Sequence, residues 1–102
     1  MTLRTTQSSK FGSAREAKTP GSKVEVKKEE ATTVAADNEA RVTLTLTNDS
    51  ENVVYVWKGA GAKVGEGIRL NKEGGGIVID DYSGIVTAAA KTAASSLCVV
   101  EV

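Results

Sequence analysis

Residues 39–58 constrain the fold of this chain more than any other stretch, because they hold its most regular pattern. Between residues 41 and 47, apolar and polar side chains alternate without a break. Val42, Leu44 and Leu46 are therefore predicted to face a core, while Arg41 and the intervening threonines are predicted to face away from it. β-Branched residues favour the same extended backbone. The pattern predicts a half-buried β-strand.

A second strand is predicted at residues 53–57, after a polar segment that favours a chain reversal. It is expected to run back beside the first strand, so that the two form a central pair. Val54 and Val56 make one apolar face, and Val53, Tyr55 and Trp57 make another. A strand that is apolar on both faces is normally covered on both sides. In a chain of 102 residues the second cover is predicted to be another subunit.

The remaining sequence predicts more short strands separated by turns. They are residues 23–27 with a continuation at 31–34, then 68–70, 77–79, 85–90 and 96–102. The first is short and charged, which is typical of an edge strand. The alanines of residues 88–94 are too few for a stable helix, and their Val and Thr neighbours favour a strand. About seven strands predict an all-β domain at residues 23–102, a small antiparallel β-sandwich or barrel.

Residues 1–22 differ in composition from the rest and are predicted to form a flexible or extended basic arm. They carry four basic residues and a single acid, with Leu3 and Phe11 as the sizeable apolar side chains. Such a segment buries too little surface to offset its ordering entropy alone. Two interpretations remain open: a floppy terminus, or an arm that lies along a neighbouring protein. In the second, the partner-binding residues are Leu3, Arg4, Lys10, Phe11, Arg15 and Lys18.

The composition excludes several kinds of catalytic and metal site. The chain has no histidine and one cysteine, Cys98, so zinc sites of the Cys/His type and Ser-His or Cys-His dyads are excluded. The counts of basic and acidic residues are equal, so no global field favours nucleic acid or a membrane surface. No apolar run is long enough to cross a bilayer, and residues 1–18 lack the apolar core of a secretory signal. We expect no cofactor and no enzymatic activity.

Three motifs resemble parts of binding or catalytic sites, and each has a simpler explanation. The glycine-rich residues 59–67 lack both the Gly-Lys-Ser/Thr ending and the following helix of a phosphate loop, so they predict a flexible connection. Asp80 and Asp81 are neighbours in a turn-forming context, which favours a turn over a metal site. Cys98 lies in an apolar strand and is predicted to be a buried small hydrophobic residue.

Tyr55 and Trp57 are the aromatic pair with the strongest claim to a binding role. Two positions apart on a strand, they share a face and are suited to stacking on bases or sugars. Few basic residues lie beside them, so contact with the core or with a subunit is the preferred assignment. The last predicted strand is also apolar on both faces. The predicted oligomer interface therefore comprises Tyr55, Trp57 and Val100.

The order of motifs in residues 42–102 resembles small structural proteins of tailed bacteriophage particles. The motifs are Leu46-Thr47-Asn48-Asp49-Ser50, Val54-Tyr55-Val56, Gly65-Glu66-Gly67-Ile68-Arg69-Leu70, Gly74-Gly75-Gly76, Tyr82-Ser83-Gly84-Ile85-Val86-Thr87-Ala88 and Leu97-Cys98-Val99-Val100-Glu101. The resemblance implies a capsid decoration (cement) protein that binds the assembled head and catalyses nothing.

The same resemblance implies the partners and the location. The expected partner is the major capsid protein or another virion protein, and the expected location is the virion, assembled in the host cytoplasm. The residues argue for a homo-oligomer, and the resemblance favours a trimer. Two alternatives stay open: a head–tail, neck or tail component, and a carbohydrate- or host-surface-binding β module that uses Tyr55 and Trp57.

Overall fold

The chain forms eight antiparallel strands in a computed structural model that describes residues 21–102. The strands are β1 (Ser22–Val26), β2 (Thr32–Ala35), β3 (Leu44–Asn48), β4 (Val54–Trp57), β5 (Ile68–Leu70), β6 (Gly75–Ile79), β7 (Val86–Ala90) and β8 (Ser95–Glu101). No helix occurs in residues 21–102. The predicted all-β class is confirmed. The predicted arm lies outside the described residues, apart from Gly21 and Ser22.

The strands form two four-stranded sheets packed face to face. Sheet A has the order β1-β8-β3-β6, and sheet B has the order β2-β7-β4-β5. The charged first strand lies at an edge of sheet A, as predicted. Residues 31–34 do not continue it, because the chain crosses there to sheet B and begins β2. That crossing is the reason for eight strands where about seven were predicted.

The predicted pairing of the first two central strands is wrong. β3 belongs to sheet A and β4 to sheet B, so the polar segment between them is an arch from one sheet to the other. The arch is fastened by Asn48, which is fully buried at the end of β3. Its Nδ2 donates to the carbonyl oxygens of Asn52 at 2.7 Å and Leu70 at 3.1 Å, and its Oδ1 accepts from the Ser50 hydroxyl at 2.6 Å. Asn48 thereby ties the end of sheet A to an edge strand of sheet B.

The core lies between the sheets and is built from the inward faces of both. Leu44 and Leu46 of β3 and Leu97 of β8 are fully buried on sheet A. Opposite them on sheet B are Val54 and Val56, with the small residues of β7 beside them. β7 is buried along its whole length between β2 and β4, which explains why its alanines form a strand. Burial of the apolar faces contributes roughly 25 cal/mol per Å².

Two residues of the alternating segment face the opposite way from the prediction. Val42 was expected in the core, yet it is 52% exposed, because regular strand structure begins only at Leu44. Arg41 was expected to face solvent, but its side chain is fully buried. Its guanidinium donates to the Gly84 carbonyl oxygen at 2.7 Å and to the Ala36 carbonyl oxygen at 3.4 Å. Its Nε lies 3.5 Å from the Glu101 carboxylate, an ion pair without the alignment of a hydrogen bond.

Candidate interaction surfaces

The outward side of sheet A is an uncharged surface that spans three adjacent strands. Alternation places Thr45 and Thr47 of β3 on this side, because Leu44, Leu46 and Asn48 face the core. The register sets Thr45 between Val100 of β8 and Val78 of β6. In the next row, Thr47 lies between Cys98 and Gly76. We call this surface the valine–threonine face; its residues are Thr45, Thr47, Gly76, Val78, Cys98 and Val100.

The valine–threonine face combines solvent exposure with an absence of charge at these positions. Val78 is 59% exposed, whereas the two threonines, Cys98 and Val100 are half-buried, as expected on a flat sheet. Charged side chains lie around this face: Lys23 and Glu25 of β1 lie beside β8, and Asp80 and Asp81 follow the end of β6. Exposed apolar patches on a small domain are typical of interaction sites.

The chain enters the described domain beside this face, at Gly21. Gly21 has a φ of +114°, and a Cβ on it would lie 2.9 Å from Val100 Cγ2 and 3.2 Å from the Val99 carbonyl oxygen. Only glycine fits this close approach without displacement. The predicted partner-binding residues of the arm, from Leu3 to Lys18, lie outside the described residues. The arm is therefore attached at the Val100 end of the valine–threonine face.

The outward side of sheet B is covered in part by the glycine-rich loop of the same chain. Residues 59–67 join β4 to β5, as predicted, and fold back over β7. Thr87, buried on the outward side of β7, donates its hydroxyl to the Gly59 carbonyl oxygen at 2.7 Å and accepts from the Ala62 N–H at 3.1 Å. The predicted second cover of β4 is thus partly intramolecular. Whether another subunit also covers it stays a prediction.

Trp57 stands at the margin of this loop and is 49% exposed. A Cβ on Gly59 would lie 2.9 Å from Trp57 Cδ1 and Nε1, and one on Gly67 would lie 3.2 Å from Trp57 Cε3. The indole therefore rests against two glycine backbones, whose φ values are +154° and +92°. Beside it is a small cleft of 210 Å³ lined by Trp57, Gly61, Lys63 and Glu66. Trp57 is therefore an exposed aromatic side chain that packs against the backbone of the loop.

The structure separates the three residues of the predicted oligomer interface. Tyr55 and Trp57 lie on the outward side of β4 in sheet B, and Val100 lies on the outward side of β8 in sheet A. Tyr55 is half-buried beside Ala89 of β7 and Arg69 of β5. Because both layers of the sandwich lie between the two groups, no single flat contact contains all three residues.

Asp80 and Asp81 lie in a connection and Cys98 lies in a strand, as predicted, but the burial of Cys98 differs from the prediction. Asp80 and Asp81 are exposed after β6, and Asp81 forms an ion pair with Lys58 at 3.3 Å. Cys98 is half-buried on the valine–threonine face, so it is less buried than predicted. Within residues 21–102, no group of three or more Cys, Asp or Glu side chains is placed to hold a metal ion. The same residues include no helix that is long and apolar enough to span a membrane.

The sequence prediction missed Arg41 and Asn48, two of the buried polar residues that fasten the loops. For Asn48 a signal exists: it continues the alternation of Leu44 and Leu46 and therefore shares their inward side. For Arg41 the alternation pointed the wrong way, because the backbone before Leu44 is irregular. The valine–threonine face was missed because its members come from three strands that are distant in sequence.

Comparison with family models, with curated proteins and with solved structures gives no match for this chain.

Proposed function

We propose that this protein is a structural component of a tailed bacteriophage particle, a capsid decoration protein that binds and stabilises the assembled head. The resemblance of residues 42–102 supports the particle type. The valine–threonine face supports the mode of action, since it is an uncharged, β-branched surface across three strands and suits a flat protein partner. This face is the single observation on which the proposal depends most.

The mechanism is mass action. A protein that binds the assembled lattice, and not its loosened form, stabilises the lattice by its binding free energy. The valine–threonine face would supply desolvated contact area on the major capsid protein or another virion protein. The arm enters beside Val100, so its basic residues would reach the partner next to the same face. Their charge would speed the encounter and make binding dependent on salt.

Association between copies belongs to the proposal. A homo-oligomer would cover the apolar surface that each sandwich leaves in water, and the resemblance favours a trimer. Because Val100 and Trp57 lie on opposite sides, one side is available for the particle and the other for a second copy. The same surfaces also suit a head–tail, neck or tail component, which differs only in the virion protein that is bound.

A carbohydrate- or host-surface-binding module is the second candidate, and one observation favours it. Trp57 is held against Gly59 and Gly67 with nearly half of its surface in solvent. Lys63 and Glu66 line the adjacent cleft and offer groups of both signs to sugar hydroxyls. An aromatic ring flanked by hydrogen-bonding groups is suited to a flat sugar ring.

Co-sedimentation with phage heads that lack this protein distinguishes the two candidates. We expect Val78→Lys to weaken binding at least about tenfold, because it places a charge in a desolvated contact. Trp57→Ala is the matched change on the other side of the sandwich and should leave binding to heads within about twofold. If the protein is instead a carbohydrate-binding module, Trp57→Ala should weaken glycan binding and Val78→Lys should leave it unchanged. Equal binding of Val78→Lys and the unchanged chain would contradict the proposed contact.

A further inference from the structure

We propose that the free edge of β6 accepts residues 2–11 from the arm of a second copy as an added β-strand. This inference rests on the part of the proposed function in which copies of the chain associate, and it does not depend on the identity of the particle. A strand at the edge of a sheet has backbone N–H and C=O groups without a strand partner, which makes it a template for another chain. The sandwich has four such edges, formed by β1, β2, β5 and β6.

Three of the four edges carry features that discourage strand addition. β1 presents Lys23 and Glu25, and just beyond it the chain crosses to sheet B, where the Glu29 N–H donates to the Ala90 carbonyl oxygen at 2.8 Å. β2 has a register irregularity between Thr33 and Ala35. β5 is three residues long. Charge, bulges and short length are the usual protections of sheet edges.

The edge of β6 has none of these features. It is five residues long, GGIVI, without charge or proline, and its register with β3 is continuous from Gly75 to Ile79. Val78 is 59% exposed on its outward side, and Ile77 is half-buried toward the core. No backbone hydrogen bond of the described residues joins Gly76–Ile79 to any strand other than β3. An added strand would pair the free backbone groups and cover Ile77.

The charges that flank β6 favour the basic arm as the added strand. β6 is flanked by Lys72 and three acids, namely Glu73, Asp80 and Asp81, of which Asp81 already pairs with Lys58. The flanking positions carry one base and three acids, so a basic segment complements their charge and a second β6 strand does not. The arm carries Arg4, Lys10, Arg15 and Lys18 with one acid. Residues 2–11 contain neither glycine nor proline and include both large apolar residues of the arm, Leu3 and Phe11.

Geometry favours the β6 edge of a second copy. The arm begins at Gly21 beside β1, and β6 of the same chain lies at the opposite edge of sheet A, three strand spacings or about 14 Å away. A segment crossing to it would lie over the valine–threonine face, which the proposed function leaves open for the particle. The ten residue-to-residue steps from Gly21 to residue 11 span up to about 33 Å, which is enough to reach a neighbour. Each copy would donate an arm and accept one.

Disulfide trapping in the full chain, without any particle, tests this contact. All chains carry Cys98→Ser; one population carries Leu3→Cys, and the other carries Val78→Cys or, as the control, Val42→Cys. Val42 and Val78 are both valines, with 52% and 59% of their surface exposed. After mixing and mild oxidation, we expect disulfide-linked pairs to form several-fold faster with Val78→Cys than with Val42→Cys. Equal rates would overturn the proposal.

Two further measurements test whether the arm binds its own chain and whether the contact forms in the unsubstituted protein. If a chain that carries both Leu3→Cys and Val78→Cys closes its disulfide internally in an excess of cysteine-free chains, the assignment to a second copy is wrong. Hydrogen exchange of the unsubstituted protein provides a readout that needs no variant. Raising the protein concentration should slow the exchange of the amides in residues 76–79 that face the free edge by about tenfold, as expected for a newly formed hydrogen bond, and should leave β5 unchanged. Exchange that is independent of concentration would overturn the proposal, while the proposed binding to heads would still stand.

Discussion

Val100 and Trp57 lie on opposite outward sides of the sandwich, one on sheet A and the other on sheet B. Each side can therefore be altered without touching the other, and substitutions more than about 7–10 Å apart usually act independently. We propose different roles for the two sides: the valine–threonine face would bind the particle, and the Trp57 side would remain for a second copy or a ligand. This separation makes the proposed roles testable one at a time.

Asn48 should have a large effect on folding for a polar residue, because its side chain is fully buried. Asn48→Ala removes the donor to the Asn52 and Leu70 carbonyl oxygens and leaves them without that partner inside the arch. We expect a loss of about 2 kcal/mol in the free energy of unfolding, measured by urea denaturation. Asn71→Ala, at an exposed position of the next turn, should change it by less than about 0.5 kcal/mol. Equal effects of the two substitutions would show that Asn48 does not hold the arch to β5.

Arg41 should stabilise the fold through backbone carbonyls more than through its ion pair. Arg41→Ala removes the donors to Gly84 and Ala36 at a fully buried position, so we expect a loss of about 2–3 kcal/mol. Glu101→Gln keeps those donors, and the Glu101 side chain is 39% exposed, so we expect less than about 1 kcal/mol. A larger effect of Glu101→Gln in urea denaturation would show that the ion pair dominates.

The glycine-rich loop should hold Trp57 in place, and the fluorescence of this single tryptophan reports its position directly. Gly67 has a φ of +92°, and a Cβ there would lie 2.7 Å from the Val56 carbonyl oxygen. Gly67→Ala should therefore destabilise the fold by more than about 1 kcal/mol and shift the Trp57 emission. Gly61→Ala, where a Cβ meets nothing within 4 Å, should do neither. If both variants have unchanged spectra, the loop does not position the ring.

The positions of the strands were predictable because an alternating pattern is local. The topology was not, since a polar segment such as residues 48–52 suits a hairpin and an arch equally. The inward Asn48 is what distinguishes them here, because a buried amide at the end of β3 can bond both the arch and β5. The valine–threonine face depends on which strands become neighbours, so no single stretch of sequence contained it. Cys98 and Val100 acquired a surface role only from their register with β3.

The charges of the arm should contribute to binding in a salt-dependent manner. Replacing Arg4, Lys10, Arg15 and Lys18 with glutamine removes the cations and keeps the length of the chain. We expect weaker binding to heads at low salt and a flatter dependence on ionic strength, measured by co-sedimentation over a salt series. The Val78→Lys variant should bind weakly at every salt concentration instead. An unchanged salt dependence in the glutamine variant would leave the arm without a role in binding.

The most direct test of the central claim is cryo-electron microscopy of phage heads prepared with and without the full-length protein. The account predicts additional density on the assembled head in which sheet A faces the lattice, with Thr45, Val78 and Val100 at the contact and Trp57 away from it. Heads without the protein should also lose their contents at a lower temperature, because the bound protein stabilises the lattice. Heads that show no additional density, or density in which sheet A faces solvent, would contradict the account.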